Sequence, residues 1–138
     1  MQRLHLFIWV GLTFASGVVV LLLPPLAQNQ TYHEFADQRT LLGIPHFFNV
    51  VSNLPFLFIG AAGLLFVWSR GLANADSSFS TGEERWPYIV FFLGLLLTGP
   101  GSAYYHLDPD NARLLWDRLP LSLLFTAFFA AFIAERIS

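Results

Sequence analysis

The sequence predicts an all-α integral membrane protein, a single transmembrane domain over residues 1–138 built as a bundle of four membrane-spanning helices. Of its 138 residues, 55% are hydrophobic and only 12% are charged, whereas an average soluble domain carries about 25% charged residues. Four apolar stretches reach the roughly 20 residues that a spanning helix needs, and polar or proline-containing connections separate them. The predicted spans cover residues 4–23, 45–68, 86–105 and 114–134.

The absence of cysteine and the small net charge exclude several kinds of function. Without cysteine, the chain forms neither a disulfide nor a thiolate metal site. Its formal net charge is -2, so it presents no basic surface, and nucleic acid is not an expected partner. The expected surroundings are the membrane and its lipids.

The first span ends at Pro24-Pro25, after an uninterrupted apolar run from Gly17 to Leu23. A secretory signal peptide is the alternative, but its apolar region would be shorter and a small-x-small cleavage site would follow it. The residues Leu23-Pro-Pro-Leu-Ala27 match such a site poorly. The sequence therefore favours a retained membrane anchor.

Two polar loops follow the first and second spans. Residues 26–44 are predicted to form an external loop with a short interfacial helix. In this loop His33 and Glu34 could bind a metal, although solvation of the loop is the favoured interpretation. Residues 69–85 are rich in Gly, Asn, Asp and Ser, which favour turns, and no chemistry is predicted there.

The second span begins at Pro45 and carries a polar stripe. His46, Asn49 and Asn53 recur at i, i+3 and i+7, which is the spacing of one helix face. Polar side chains within a bilayer face the bundle interior, where they either join helices by hydrogen bonds or line a site. Both interpretations remain open for the asparagines. Pro55 is expected to kink the helix.

The third span ends in a serine and a histidine four residues apart. Ser102 and His106 share a helix face, and Thr98 extends this stripe by one turn. The glycines on either side of Pro100 are expected to loosen the helix just before Ser102. Asp117 follows His106 by eleven residues, near the start of the fourth span, where the helix dipole favours a carboxylate.

A purely structural interpretation of these residues is also open. It makes His106 an interfacial histidine and leaves Asp117 paired with its neighbour Arg118. The distribution of the arginines, however, predicts that the polar elements lie on the same side of the membrane. With the N-terminus inside, four arginines are cytoplasmic and three external, which the positive-inside rule favours. The loop at 26–44, His46, His106 and Asp117 then converge on the outer side of the membrane.

The residue types in this cluster suit a zinc site better than a serine-hydrolase triad. Ser102 lies on a helical face and lacks the strained turn that exposes a nucleophilic serine. Neutral imidazole is a standard zinc ligand, so His106 is the first candidate, His46 a possible second and His33 a remote third. Asp117 would orient or deprotonate the zinc-bound water, and Ser102 would stabilise the developing oxyanion.

The order and spacing of these motifs resemble the alkaline ceramidase family, in its bacterial branch, within the wider group of membrane hydrolases that includes the adiponectin-type receptors. The similarity covers roughly residues 30–125. Three segments carry it: Gly43-Ile-Pro-His-Phe-Phe-Asn-Val-Val-Ser-Asn-Leu-Pro-Phe56, Thr98-Gly-Pro-Gly-Ser-Ala-Tyr-Tyr-His106 and Trp116-Asp-Arg-Leu-Pro120.

The resemblance implies a seven-helix zinc amidase that hydrolyses the N-acyl bond of ceramide-like lipids. It assigns one zinc ligand to His106, oxyanion support to Ser102 and handling of the catalytic water to Asp117. The remaining two ligands would come from a His-x-x-x-His motif on the last helix, which residues 1–138 lack. The chain is therefore expected to be the N-terminal part of a seven- or eight-helix bundle, or a shortened member. The supporting residues are His46, Asn49, Asn53, Tyr105 and Arg118.

Calcium, which eukaryotic members bind, is not expected. The calcium-binding glutamate three residues before the first Asn of Asn-x-x-Ser-Asn corresponds to His46, and the acidic N-terminal run is reduced to Glu34 and Asp37. The expected function is thus a zinc-dependent ceramidase-like hydrolase of a lipid substrate in the bacterial inner membrane, with its site on the outer side. The alternative is a receptor, lipid-binding or assembly protein without turnover. Oligomeric state is left open.

Overall fold

The computed structural model describes residues 2–24, 26–72 and 84–137. Most of the predicted loop at 69–85, residues 73–83, lies outside the described residues. The described part is helical and contains no strand. Its elements are α1 (Gln2–Leu22), a 3₁₀ helix (Gln30–His33), α2 (Phe47–Val51), α3 (Leu54–Leu72), α4 (Trp86–Leu107) and α5 (Asn111–Ile137).

Three helical stretches are long and apolar enough to cross a membrane. They are Phe47–Ser69, which combines α2 with most of α3, then Trp86–Leu107 and Asn111–Arg136. Three of the four predicted spans are thereby confirmed in length and composition. The fourth is not: in the part of α1 whose side chains the structure describes, the apolar stretch runs from Val10 to Leu22 and is shorter than the other three.

Helix α4 lies at the centre of the bundle, with α5 along one side and α2 and α3 along the other. On α5, Leu124, Ala127 and Ala131 are buried, at the i, i+3 and i+7 spacing of one helix face. Without a strong hydrophobic drive between helices in lipid, small residues such as these two alanines stabilise a bundle by letting helices approach closely. Gly60 on α3 and Gly101 on α4 are positions where the backbone of a neighbouring helix comes very close. A Cβ on Gly60 would lie 2.5 Å from the backbone nitrogen of Leu96, and one on Gly101 would overlap the Trp116 carbonyl oxygen.

Substituting Gly60 with alanine is expected to destabilise the protein by about 1–3 kcal/mol, because α3 must move away from the α4 backbone. Thermal unfolding in detergent would measure this loss. The matched control is Gly17→Ala on α1, where an added Cβ meets nothing within 4 Å. Equal melting temperatures for the two variants would contradict the described packing of α3 on α4.

The second span is divided into two helices, which corrects the prediction of one continuous polar stripe. Helix α2 ends at Val51 and α3 begins at Leu54, because Pro55 has no N–H to donate to the Val51 carbonyl and its ring crowds that oxygen. His46 precedes α2 in the left-handed region, with φ 47°. His46, Asn49 and Asn53 therefore do not share one helix face.

In contrast, α4 continues without interruption through Pro100, so the predicted loosening before Ser102 is wrong. The glycines flanking this proline are packed from both sides: Gly99 lies against the Leu57 side chain and Gly101 against the Trp116 backbone. This packing holds the helix in spite of the missing N–H at Pro100. Helix α5 starts at Asn111, three residues earlier than predicted, and Asp117 therefore lies in its second turn.

Candidate functional site

The polar side chains collect at one end of the bundle, where the end of α4 and the start of α5 meet residues 28–39, which we call the capping segment. The capping segment is attached to α5 by two hydrogen bonds. The backbone N–H of Gln28 donates to Asn111 Oδ1 at 2.8 Å, and Asn111 Nδ2 donates to the Gln28 carbonyl at 3.3 Å. In addition, the Arg118 guanidinium donates to the Tyr32 hydroxyl. The predicted short helix in this region is confirmed as the 3₁₀ helix Gln30–His33.

Asp37 attaches the capping segment to the start of α2. Its carboxylate accepts from Arg39 Nε at 2.6 Å and from the backbone N–H of Phe48 at 2.9 Å. The Arg39 hydrogen bond holds the pKa of the Asp37 carboxyl below its ordinary value, with the Phe48 N–H acting in the same direction. Asp37 therefore remains ionised at neutral pH and stabilises the unpaired N–H groups of the helix.

His46 is also bound to the capping segment, and this contact fixes its tautomer. His46 Nδ1 lies 2.7 Å from the Asp37 carbonyl oxygen. A carbonyl only accepts, so Nδ1 carries the proton and Nε2 is the nitrogen with a free lone pair in the neutral ring. The sequence placed His46 inside a helix. In the structure it is instead held beside the capping segment.

His33 is buried, so the prediction that this loop is solvated is wrong for His33, although most other residues of the loop are exposed. Its side chain is 6% exposed, and Nδ1 lies 2.8 Å from the hydroxyl of Tyr105. Tyr105 is 72 residues away in sequence, so no local pattern indicates this contact. Glu34, the other proposed ligand of the loop, is exposed.

Phe35 connects the histidines of the site. Its ring centroid lies 5.4 Å from that of His46, 4.6 Å from that of His106 and 5.6 Å from that of Tyr105. The sequence analysis missed this residue, since one phenylalanine among 15 carries no distinguishing signal. The structure thus brings His46 and His106 together around one apolar ring, as the predicted convergence requires.

His106 lies in the last turn of α4 and has an uncommitted nitrogen. Its Nδ1 is buried and has no hydrogen-bond partner among the described residues. Asp117 and His46 both lie within electrostatic range of the imidazole. Asp117 itself is 13% exposed, and its carboxylate is 3.6 Å from Arg118 Nε. The neighbouring Asp–Arg pair is therefore formed, but at a distance longer than a hydrogen bond.

The other predicted side chains are buried nearby or used within their own helices. Ser102 is 6% exposed, one turn before His106. Thr98 donates to the Gly94 carbonyl at 2.8 Å. Asn53 is buried, but its amide donates to the Asn49 carbonyl at 2.7 Å, where the helix break leaves that oxygen without its usual partner. The Asn53 side chain therefore stabilises the junction between α2 and α3.

An apolar groove between α4 and α5 runs beside the site. Leu97, Pro100 and Tyr104 line it from α4, and Trp116 and Leu119 line it from α5. On α4, Leu97 directly precedes Thr98, and Tyr104 directly precedes Tyr105. Thr98 and Tyr105 belong to the buried face of the helix.

The donor set fits a zinc ion in part. Among the residues that the structure describes, no three His, Asp or Glu side chains are placed together as metal ligands. His106 Nδ1 is a buried nitrogen without a partner among the described residues, and the His46 ring contacts the same Phe35 ring as His106 does. A catalytic zinc needs three protein ligands, so further ligands are required.

Sequence and structure comparisons do not identify a family for this chain. Neither a protein-family model, nor a curated protein, nor a solved structure matches it. The similarity to alkaline ceramidases therefore depends on the three quoted segments, and the roles of His106, Ser102 and Asp117 stay predictions.

Proposed function

We propose that this chain belongs to a membrane zinc-dependent hydrolase of lipid amide bonds, which converts ceramide-like lipids into a sphingoid base and a fatty acid. The observation that carries the proposal is the unpartnered buried nitrogen of His106, with Ser102 one turn away on α4 and Asp117 within electrostatic range. The resemblance to the ceramidases rests on the order and spacing of these three residues. The apolar groove beside the site supports a lipid substrate.

The orientation in the membrane is part of the same proposal. Helix α1 acts as the fourth span, and the end of the bundle that carries the capping segment lies on the outer side of the bacterial inner membrane. The arginine distribution supports this orientation, with four arginines on the inner side and three on the outer side.

In the proposed reaction, each of three side chains has one task. His106 would hold the zinc through Nδ1, together with the His-x-x-x-His ligands that the resemblance implies. Zinc, when bound, supplies a water of lowered pKa and polarises the amide carbonyl. Asp117 accepts a proton from the attacking water, and Ser102 donates a hydrogen bond to the carbonyl oxygen as it gains charge. The C–N bond then breaks, and the proton held by Asp117 passes to the leaving nitrogen.

Hydrolysis of a fluorescent short-chain ceramide by the full-length protein in detergent tests the proposal. We expect release of the labelled fatty acid, loss of release after zinc chelation and recovery when zinc is added back. Binding of the ceramide with zinc present but without release would indicate a receptor or lipid-binding protein. If neither zinc nor ceramide is bound, the polar residues serve helix assembly only, and the hydrolase proposal is wrong.

A further inference from the structure

His33 and Tyr105 form a buried pair that the proposed reaction does not use. Their side chains are 6% and 2% exposed, and one hydrogen bond of 2.8 Å joins His33 Nδ1 to the Tyr105 hydroxyl. The other ring nitrogen, His33 Nε2, is buried and has no partner among the described residues. A buried polar atom without a partner is rare in native proteins and requires an explanation.

The tautomer of His33 follows from counting the buried polar groups that each tautomer leaves without a hydrogen bond. If Nδ1 carries the proton, it donates to the Tyr105 oxygen. The tyrosine O–H and the Nε2 lone pair are then both left without partners. If the tyrosine O–H donates to Nδ1, the proton is on Nε2, and only this single N–H is left. The second arrangement leaves fewer buried polar groups unpaired and is therefore favoured.

The unpaired group of His33 is thus a donor, and a donor identifies the chemistry of its partner. An N–H cannot ligate a metal ion, which needs the lone pair of a neutral imidazole. It requires an acceptor oxygen. The pair lies in the same aromatic cluster as the candidate ligand, since the Tyr105 ring is 5.2 Å from the His106 ring and Phe35 contacts both.

We propose that His33 Nε2–H donates a hydrogen bond to an oxygen in the polar head of the bound lipid amide. The identity of this ligand rests on the proposed function, whereas the need for an acceptor rests on the geometry alone. His33 would then fix the position of the headgroup, and Tyr105 would hold His33 in the donating tautomer. The capping segment becomes one wall of the binding site.

The test measures binding of a fluorescent six-carbon ceramide to the full-length protein in lipid nanodiscs. His33→Leu removes the donor and is expected to weaken binding about tenfold, whereas His33→Gln keeps an N–H donor and should recover part of the loss. Tyr105→Phe frees the tautomer and should give an intermediate affinity. The control is Thr40→Ala, an exposed residue just after the capping segment, which should bind as the wild type does.

Nitrogen NMR of histidine-labelled protein supplies a readout independent of turnover. We expect the His33 signals of the Nε2–H tautomer, and a change in them when the ceramide is added. An Nδ1–H tautomer, a signal that the ceramide leaves unchanged, or equal affinity of His33→Leu and wild type would each overturn the inference. If His33 responds to the ceramide but no hydrolysis occurs, the proposed function fails and the contact stands. If hydrolysis occurs and His33→Leu binds the ceramide normally, the proposed function stands and the His33 contact is wrong.

Discussion

Replacing His106 with alanine is expected to abolish zinc binding by the full-length protein. The imidazole offers a buried nitrogen that no described residue occupies, and the resemblance assigns it the first ligand position. A catalytic zinc is held by about three protein ligands, so loss of one leaves a site too weak to survive purification. Metal analysis by mass spectrometry should show about one zinc per wild-type chain and almost none in the variant.

Two further variants separate a lost ligand from a damaged fold. His106→Gln keeps a polar side chain of similar length, and it should retain the melting temperature better than the alanine variant while still losing zinc. His5→Ala removes a histidine that precedes the segments on which the resemblance rests, and it should leave the zinc content unchanged. An unchanged zinc content in His106→Ala would rule out His106 as a ligand. If the melting temperature fell at the same time, the helix-assembly interpretation would be favoured.

The sequence predicts the helices of this fold well because their main determinant is local. Helix α4 was expected at residues 86–105 and is found at Trp86–Leu107, and α5 extends only a few residues beyond its predicted limits. Apolar length alone determines these elements in a lipid environment. Pro55 was expected to kink its helix, and the helix is interrupted there. Pro100 was expected to loosen α4, but the helix is continuous through it, where the flanking Gly99 and Gly101 are packed against neighbouring helices.

The sequence predicts the helical part of the site but not the capping segment, for a physical reason. Ser102, His106 and Asp117 lie on helices, where spacing determines which residues share a face. The capping segment has no such periodicity. Its burial depends on contacts distant in sequence, from His33 to Tyr105 and from Asp37 to Phe48. Asp37, with an arginine two residues later, has the sequence appearance of a solvated acid, yet its carboxylate binds the start of α2.

Replacing Asp117 with asparagine is expected to reduce ceramide turnover by about 10²–10⁴-fold while zinc remains bound. The amide has the shape of the carboxylate, and Asp117 is largely buried, at 13% exposure, so packing is conserved. An amide, however, accepts no proton from the attacking water. Parallel measurement of the turnover rate and the zinc content distinguishes a proton acceptor from a metal ligand.

Asp110→Asn provides the matched control for this substitution. Asp110 also lies near the start of α5, but it is exposed, and its carboxylate accepts from the Arg113 backbone N–H at 2.7 Å. Asparagine caps a helix as well as aspartate does, so this variant should keep both turnover and zinc. If Asp117→Asn lost zinc together with turnover, Asp117 would be a ligand. If it kept full turnover, another group would have to accept the proton, and the proposed task of Asp117 would be wrong.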